Sequence, residues 1–345
     1  MSEYYDGVKL LSMSDINGNK PTIYITEGNR TGGKTTYYNR LAVNRFKKQH
    51  KKFSCLCRYK DELKDYHEKF FKDIRELFFF DDVMESEKRD NGCYWELKLN
   101  GESCGYAIAI NSADRIKKIS HVFNDVDSII FDEFQSETNN YCPEELTKFS
   151  SVIVSICRGK GEHFRYVPIY LIANSVSLIN PYYTQMGIGC RITKDTKFLR
   201  GDGFVLERAY IESAAKAQQE SGFFRAFSKS KYADYSMQNV YLNDNVAFIE
   251  KPKGKSRYLG TLVYKGSEYG VYSFDELGII FVSNKSDTTA PFKISVTTED
   301  HNINYVMLKH NDLFLQQLRF YFDKGCMRFA DLNAKEALMV AISYF

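Results

Sequence analysis

Apolar residues fall in short runs separated by segments of helical spacing through the first two hundred residues. That rhythm predicts a layered α/β core. Residues 22–26 read as a strand. In the segment 37–46, Tyr38, Leu41, Ala42 and Phe46 share one helical face. Residues 53–58 form a short apolar strand, and Leu63, Tyr66, Phe70, Ile74 and Leu77 mark a helix over 61–77. The segments 95–99 and 106–110 flank Asn100-Gly101, which predicts a hairpin. Residues 126–131 and 167–173 are nearly continuous apolar runs, as strands buried on both faces of a parallel sheet require. The expectation is an α/β core with an inserted hairpin.

The pattern changes after residue 210. Residues 212–227 are rich in Ala, Gln and Glu and read as helical, and 228–245 as a polar loop. Short strands are expected at 246–249, 258–264, 269–272, 278–282 and 292–296, separated by Gly and charged turns in an antiparallel meander. Helices near 311–322 and 333–344 close the chain. This divides the protein into a first domain over 1–208, a helical linker over 209–234 and a smaller α+β domain over 235–345.

A length of 345 residues with 43% hydrophobic and 15% aromatic content supports two domains with sizeable cores. No run of 18 apolar residues predicts a membrane span, and the first residues lack the pattern of a signal peptide. The eight cysteines include no C-x-x-C pair, which favours reduced thiols in a cytoplasm over disulfides or zinc. A net charge of +3 does not by itself argue for a polyanion partner. Local clusters do more. Arg45, Lys47, Lys48, His50, Lys51 and Lys52 form one basic run, where a solvated helix terminus is the simpler reading. Arg115, Lys117 and Lys118 form another.

The chemistry begins at Gly28-Asn29-Arg30-Thr31-Gly32-Gly33-Lys34-Thr35, followed by Thr36. This is the G-x-x-x-x-G-K-T pattern of a phosphate-binding loop, set between a predicted strand and a predicted helix. Backbone N–H groups of such a loop cradle phosphates, Lys34 would reach the β/γ-phosphates and the Thr35 hydroxyl would ligate Mg²⁺. ATP with Mg²⁺ is the expected ligand. The strand over 126–131 runs into Asp132-Glu133. Asp132 is placed to hold Mg²⁺ through water, and Glu133 to polarise the attacking water. The next buried strand ends at Asn174-Ser175, where an amide can sense the γ-phosphate or simply close an Asx turn. Arg158 lies between Glu133 and Asn174 and is a candidate arginine finger toward a neighbour's nucleotide, with Arg165 as competitor.

These motifs resemble a known family. The loop at 28–35, Cys57-Arg58-Tyr59-Lys60, Phe131-Asp132-Glu133-Phe134 and Ala173-Asn174-Ser175 with Asn180-Pro181-Tyr182 are similar to the DNA-packaging ATPases of small tailed phages, the phi29-like group. Segments at 243–251 and 325–329 extend the similarity to the C-terminal domain, so it covers nearly the whole chain. The resemblance implies a P-loop core of the ASCE type with a mainly parallel sheet, followed by an RNase H-like nuclease domain that has lost its acids. It implies a ring, usually pentameric, that drives double-stranded DNA through the portal of a procapsid in the host cytoplasm. Whether a scaffold RNA takes part stays open. The resemblance carries the trans arginine to Arg158, and a trans-acting basic residue to Lys118, with Lys117 as the alternative. Arg115, Lys117, Lys118, Lys47, Lys48 and Lys51 are the candidates for the DNA path.

Three other readings compete. A packaging enzyme with an active two-metal nuclease needs clustered carboxylates, and residues 258–264 have none. A non-enzymatic assembly factor would have no use for Lys34, Asp132 and Glu133 together. A small-molecule kinase would need no ring, and the Asp-Glu pair favours water as the acceptor.

Overall fold

The computed structural model describes residues 4–138, 140–159, 161, 163–192, 195–227, 236, 248–307 and 313–342. The chain forms two compact units. The first comprises Met1–Tyr182 and Ile192–Asn243, the second Tyr183–Arg191 and Asp244–Phe345.

In chain order the elements before residue 230 are α1 (Val8–Leu11), β1 (Ile23–Gly28), α2 (Lys34–Gln49), β2 (Lys52–Cys57), α3 (Tyr66–Phe78), β3 (Met84–Arg89), β4 (Tyr94–Leu99), β5 (Glu102–Ala109), α4 (Ala113–Lys118), β6 (Val126–Asp132), α5 (Glu145–Cys157), β7 (Ile169–Asn174), α6 (Pro181–Met186), β8 (Phe198–Gly201), β9 (Phe204–Ala209), α7 (Glu212–Glu220) and α8 (Gly222–Ala226). The stretch read as a linker thus carries α7 and α8, which cluster with the first unit.

Nine strands form one sheet in the order β3-β4-β5-β2-β6-β7-β1-β9-β8. The six strands from β5 to β9 in that order are mutually parallel. Antiparallel pairs add β4 and β3 at one edge and β8 at the other. The fold is mixed α/β with a large, mainly parallel sheet. Helices cover both faces, which explains the continuous apolar runs. On one face Tyr38, Val43 and Phe46 of α2 and Phe70 and Ile74 of α3 pack with Cys55, Ala107, Ile130 and Ile172. On the other, Phe131 packs against Phe149 of α5 and Tyr182.

The expected hairpin is β4–β5, turning at Asn100 (φ 51°) and Gly101 (φ 83°), a conformation that Asn-Gly accommodates readily. Sequence reasoning missed β3, Met-Glu-Ser-Glu-Lys-Arg, because an exposed edge strand needs no apolar alternation. Its charges are paired across the hairpin: Arg89 meets Glu96 at 2.7 Å and Lys98 meets Glu87 at 2.7 Å. Charged edges of this kind discourage pairing with other chains.

The second unit contains β10 (Arg257–Tyr264), β11 (Ser267–Phe274), β12 (Ile279–Ser283), β13 (Lys293–Ser295), β14 (Val306–Met307), α9 (Leu313–Asp323), β15 (Met327–Phe329) and α10 (Leu332–Ile342). The expected antiparallel meander holds for β10-β11-β12 only. β13 pairs parallel with β10, β14 with β13 and β15 with β12, so the sheet is mixed. The difference lies in the connections: the chain returns to the sheet by longer routes, one of them through α9, and such crossovers set strands parallel. The loop expected at 228–245 lies outside the described residues apart from Ser236, and the strand expected at 246–249 lies partly outside them.

Candidate active site

β1 ends at Gly28, and the glycine-rich loop carries the chain into α2 at Lys34. Gly28 sits hard against β9: a Cβ there would lie 1.9 Å from the carbonyl oxygen of Ala209. Gly33 adopts φ 84°, the left-handed region that glycine enters without strain. β6 and β7 end beside this loop because β7 lies between β6 and β1 in the sheet. Asp132, Glu133 and Asn174 therefore meet Lys34 and Thr35 at one edge, around a cavity of about 750 Å³. Arg30, Thr31, Gly32, Gly33 and Thr36 line the same cavity.

Lys34 is buried. Its Nζ donates to the carbonyl of Asn29 at 2.6 Å and to Asn174 Oδ1 at 3.3 Å. Burial pulls its ammonium down to about 8, against the attraction of Asp132 and Glu27. Thr35 Oγ1 donates to Asp132 Oδ2 at 2.9 Å. Burial and the neighbouring Glu133 charge push the Asp132 carboxyl above its usual range, with the Thr35 hydrogen bond opposing. Glu133 is exposed and its backbone is left-handed, φ 57°. A non-glycine residue in that region needs support from its surroundings.

Arg58 supplies that support. From the end of β2 it donates to the carbonyls of Glu133, at 2.8 Å, and Phe134. Its Nε pairs with Glu145 at 3.0 Å, and Glu145 also accepts from Tyr182 at 2.8 Å and from the backbone of Cys142 at 2.9 Å. The three side chains are buried, so the turn bearing Glu133 is pinned by a satisfied polar network. α3 contributes Lys69. Partial desolvation by its neighbours works against the charge of this exposed side chain, yet Glu133 and, more weakly, Asp132 raise its ammonium above the usual range. Arg58, Glu145 and Lys69 went unassigned in the sequence because their partners are far away in the chain.

The two arginine candidates separate clearly. Arg165 is buried and donates to the carbonyls of Val126, at 3.2 Å, and Ile156, at 2.9 Å, so it holds main chain together. Arg158 is exposed at the C-terminus of α5. α5 starts beside Arg58 through Glu145 and runs 13 residues, about 20 Å at 1.5 Å per residue, so Arg158 leaves at the end away from Glu133. Lys117 and Lys118 are exposed on the last turn of α4, which packs on α5.

The basic clusters are partly neutralised. Arg115 makes a two-bond pair with Asp90 at 2.6 and 2.7 Å. Lys47 pairs with Asp82 at 2.5 Å and Lys52 with Asp125 at 2.7 Å. Lys48, Lys51, Lys117 and Lys118 make no ion pair among the described residues. Cys55, Cys57, Cys93, Cys104, Cys142 and Cys157 are buried free thiols. Among the described residues no helix is long and apolar enough to cross a membrane.

The model of the Podovirus DNA encapsidation protein (Gp16) family matches residues 1–342. The DNA packaging protein of Bacillus phage phi29 is 25% identical over 332 residues, covering 95% of this chain and 93% of that protein. The DNA packaging protein of Bacillus phage B103 is 26% identical over 306 residues, covering 88% and 90%. Among solved structures, the bacteriophage Phi-29 viral genome packaging motor assembly contains a chain with a TM-score of 0.66 and 23% identity, covering 99% of this chain and 98% of that one. The Phi-28 gp11 DNA packaging motor gives 0.63 and 16%, covering 100% and 98%. The structural matches share the fold over the full length; the family match over residues 1–342 places this chain in the Podovirus DNA encapsidation protein (Gp16) family.

Proposed function

We propose that this protein is an ATP-hydrolysing motor that drives double-stranded DNA through the portal into a procapsid. The observation that carries the reading is the meeting of Lys34, Thr35, Asp132, Glu133 and Asn174 around one cavity, in a chain whose family packages DNA. The residues suit Mg²⁺-ATP. Lys34 is a desolvated cation whose hydrogen-bond partners are neutral oxygens, a setting that favours an incoming anion. Thr35 and Asp132, 2.9 Å apart, form the oxygen pair that Mg²⁺ prefers. Bound there, the ion would neutralise charge on the phosphates.

In this reading the loop from Gly28 to Thr36 binds the triphosphate, and Lys34 exchanges the Asn29 carbonyl for a phosphate oxygen. Glu133 takes the proton of the attacking water, held in place by Arg58 through its carbonyl. Asn174 orients the water or senses the terminal phosphate. Arg158 acts on a neighbouring subunit's nucleotide, since its own Glu133 lies at the other end of α5. Lys118, or Lys117 beside it, reaches the neighbour from the same side. These trans roles require a ring, taken as a pentamer. DNA contact falls to phosphates, which carry no sequence information. Lys117, Lys118, Lys48 and Lys51 are the stronger candidates, because Lys47 and Arg115 already hold carboxylates.

The second unit, in this reading, is an RNase H-like domain without nuclease activity. Asp275 is held by Arg257 and Ser273, and Asp331 accepts from Asn284 and the backbone of Ala334, both at 2.8 Å. Acids so engaged serve structure. The motor would act in the host cytoplasm, docked transiently at the portal vertex, with or without a scaffold RNA. The test is ATP turnover by the purified protein with and without double-stranded DNA. Mg²⁺-dependent turnover stimulated by unrelated duplexes is expected; no turnover under either condition defeats the proposal.

A further inference from the structure

The glycine-rich loop is gripped from outside. Its first half, residues 29–31, hydrogen bonds to the segment that follows β9. The Asn29 side chain donates to the carbonyl of Ile211 at 3.0 Å and accepts from its N–H at 2.9 Å. Gln218 on α7 donates to Thr31 Oγ1 at 2.8 Å and to the Arg30 carbonyl at 3.4 Å. Gln218 Oε1 accepts from Ser236 Oγ at 2.9 Å, and the Ser236 carbonyl accepts from the Arg30 N–H at 3.3 Å. Asn29, Gln218 and Ser236 are all buried.

The grip meets a strained residue. Thr31 has φ 60°, a left-handed backbone that a β-branched side chain enters only when its surroundings hold it there. Among the described residues, its side-chain bond within the loop is to the adjacent Arg30 carbonyl, at 2.7 Å. The turn at Thr31 aims the following Gly32-Gly33-Lys34 segment into the cavity. A loop released from this turn would pay an ordering cost when phosphate binds. We propose that Gln218 is a positioning residue of the nucleotide site: it holds Thr31 left-handed, so that the loop is preformed for a triphosphate. The inference rests on the nucleotide reading above and extends it to a helix outside the loop motif.

The experiment uses the full chain. Gln218→Ala should raise KM for ATP about tenfold and leave kcat within about threefold, because Asp132 and Glu133 keep their places. Gln218→Glu keeps the size of the side chain but removes the donor to Thr31 and adds a negative charge near the loop, so it should raise KM at least as much. Adding Thr31→Gly to Gln218→Ala should recover most of the lost affinity, since glycine occupies that backbone without a brace. A residue that merely stabilised the fold would lower the melting temperature and kcat together and show no such rescue. Unchanged KM in both Gln218 variants, or no recovery in the double variant, overturns the inference. Binding of a fluorescent ATP analogue separates the two levels. If the wild type fails to bind it, the nucleotide reading itself falls; if wild type and both variants bind it equally, only the role of Gln218 falls.

Discussion

At the C-terminal edge of the first sheet, β1, β6 and β7 bring a lysine, a threonine, two carboxylates and an amide to one cavity, and the Glu133 carboxylate accepts no hydrogen bond among the described residues. In the second unit several acids beside the sheet are engaged. Glu268 takes Lys293 at 2.5 Å and Ser286 at 2.7 Å, Glu336 accepts from Tyr264 at 3.1 Å, and Asp331 closes the first turn of α10. Both units carry carboxylates near strand ends. What sets Glu133 apart is that it lines the cavity with a charge no hydrogen bond among the described residues takes up, and a group left available there is the one that can serve chemistry.

The sharpest way to break this contrast is at Arg158. Arg158→Ala should lower ATP turnover by ~10³ or more, the scale of an arginine finger, without loss of nucleotide binding. Mixed rings of Arg158→Ala and Glu133→Gln subunits should regain part of the activity, where an intact arginine faces an intact glutamate. No recovery in rings shown to be mixed would move Arg158 to a structural role. Next in size is Glu133→Gln, expected to bind ATP normally and turn over at least ~100-fold more slowly. Near-normal turnover would remove Glu133 from the reaction.

The buried lysine predicts a pH dependence. Its ammonium titrates at about 8, below the ordinary value of 10.5. Below pH 8 Lys34 carries its charge and affinity for the triphosphate should be flat. Above it, binding must take up a proton, so affinity should fall by up to about tenfold per pH unit, read by titration of a fluorescent nucleotide. Stability moves the other way. Between 8 and 10.5 the unfolded chain holds a proton that the folded chain has released, so this group makes folding more favourable as pH rises through that window. Lys34→Ala should abolish the first effect along with binding.

A smaller change is expected at the DNA path. Replacing Lys117 and Lys118 by Ala should flatten the dependence of log affinity on log salt by about 2 for each subunit that contacts DNA. An unchanged slope would remove α4 from that path. The smallest effect belongs to the second unit. Asp331→Ala removes a helix cap and should cost about 1 kcal/mol of stability, seen as a melting shift of a few degrees, with ATP turnover unaltered. A large loss of turnover would mean that the engaged acids of this unit do more than hold it together.

Much of the first unit was legible because burial on both faces writes long apolar runs, as in β6 and β7, and because the loop from Gly28 to Thr35 is local in sequence. The exposed strand β3 left no such trace. The parallel additions β13 and β15 were hidden for another reason: strand direction depends on the route the chain takes, and three-residue strands carry no directional pattern. Arg58 with Glu145, 87 positions apart, and Asn29 with Ile211, 182 positions apart, join residues that no periodicity connects. The contrast between Arg158 and Arg165 was likewise invisible in the sequence: only the fold shows that Arg165 holds carbonyls while Arg158 is exposed.

The crowding of Gly28 against Ala209 bears on how such loops are recognised at all. The first glycine of the motif answers to a neighbouring strand, whatever the loop binds. In a relative that bound no nucleotide, the position of Lys34 would be free to drift while that of Gly28 would still be required by the sheet. A glycine surviving at the head of the motif is therefore a fossil of architecture, and the lysine is the better witness to an engine that still runs.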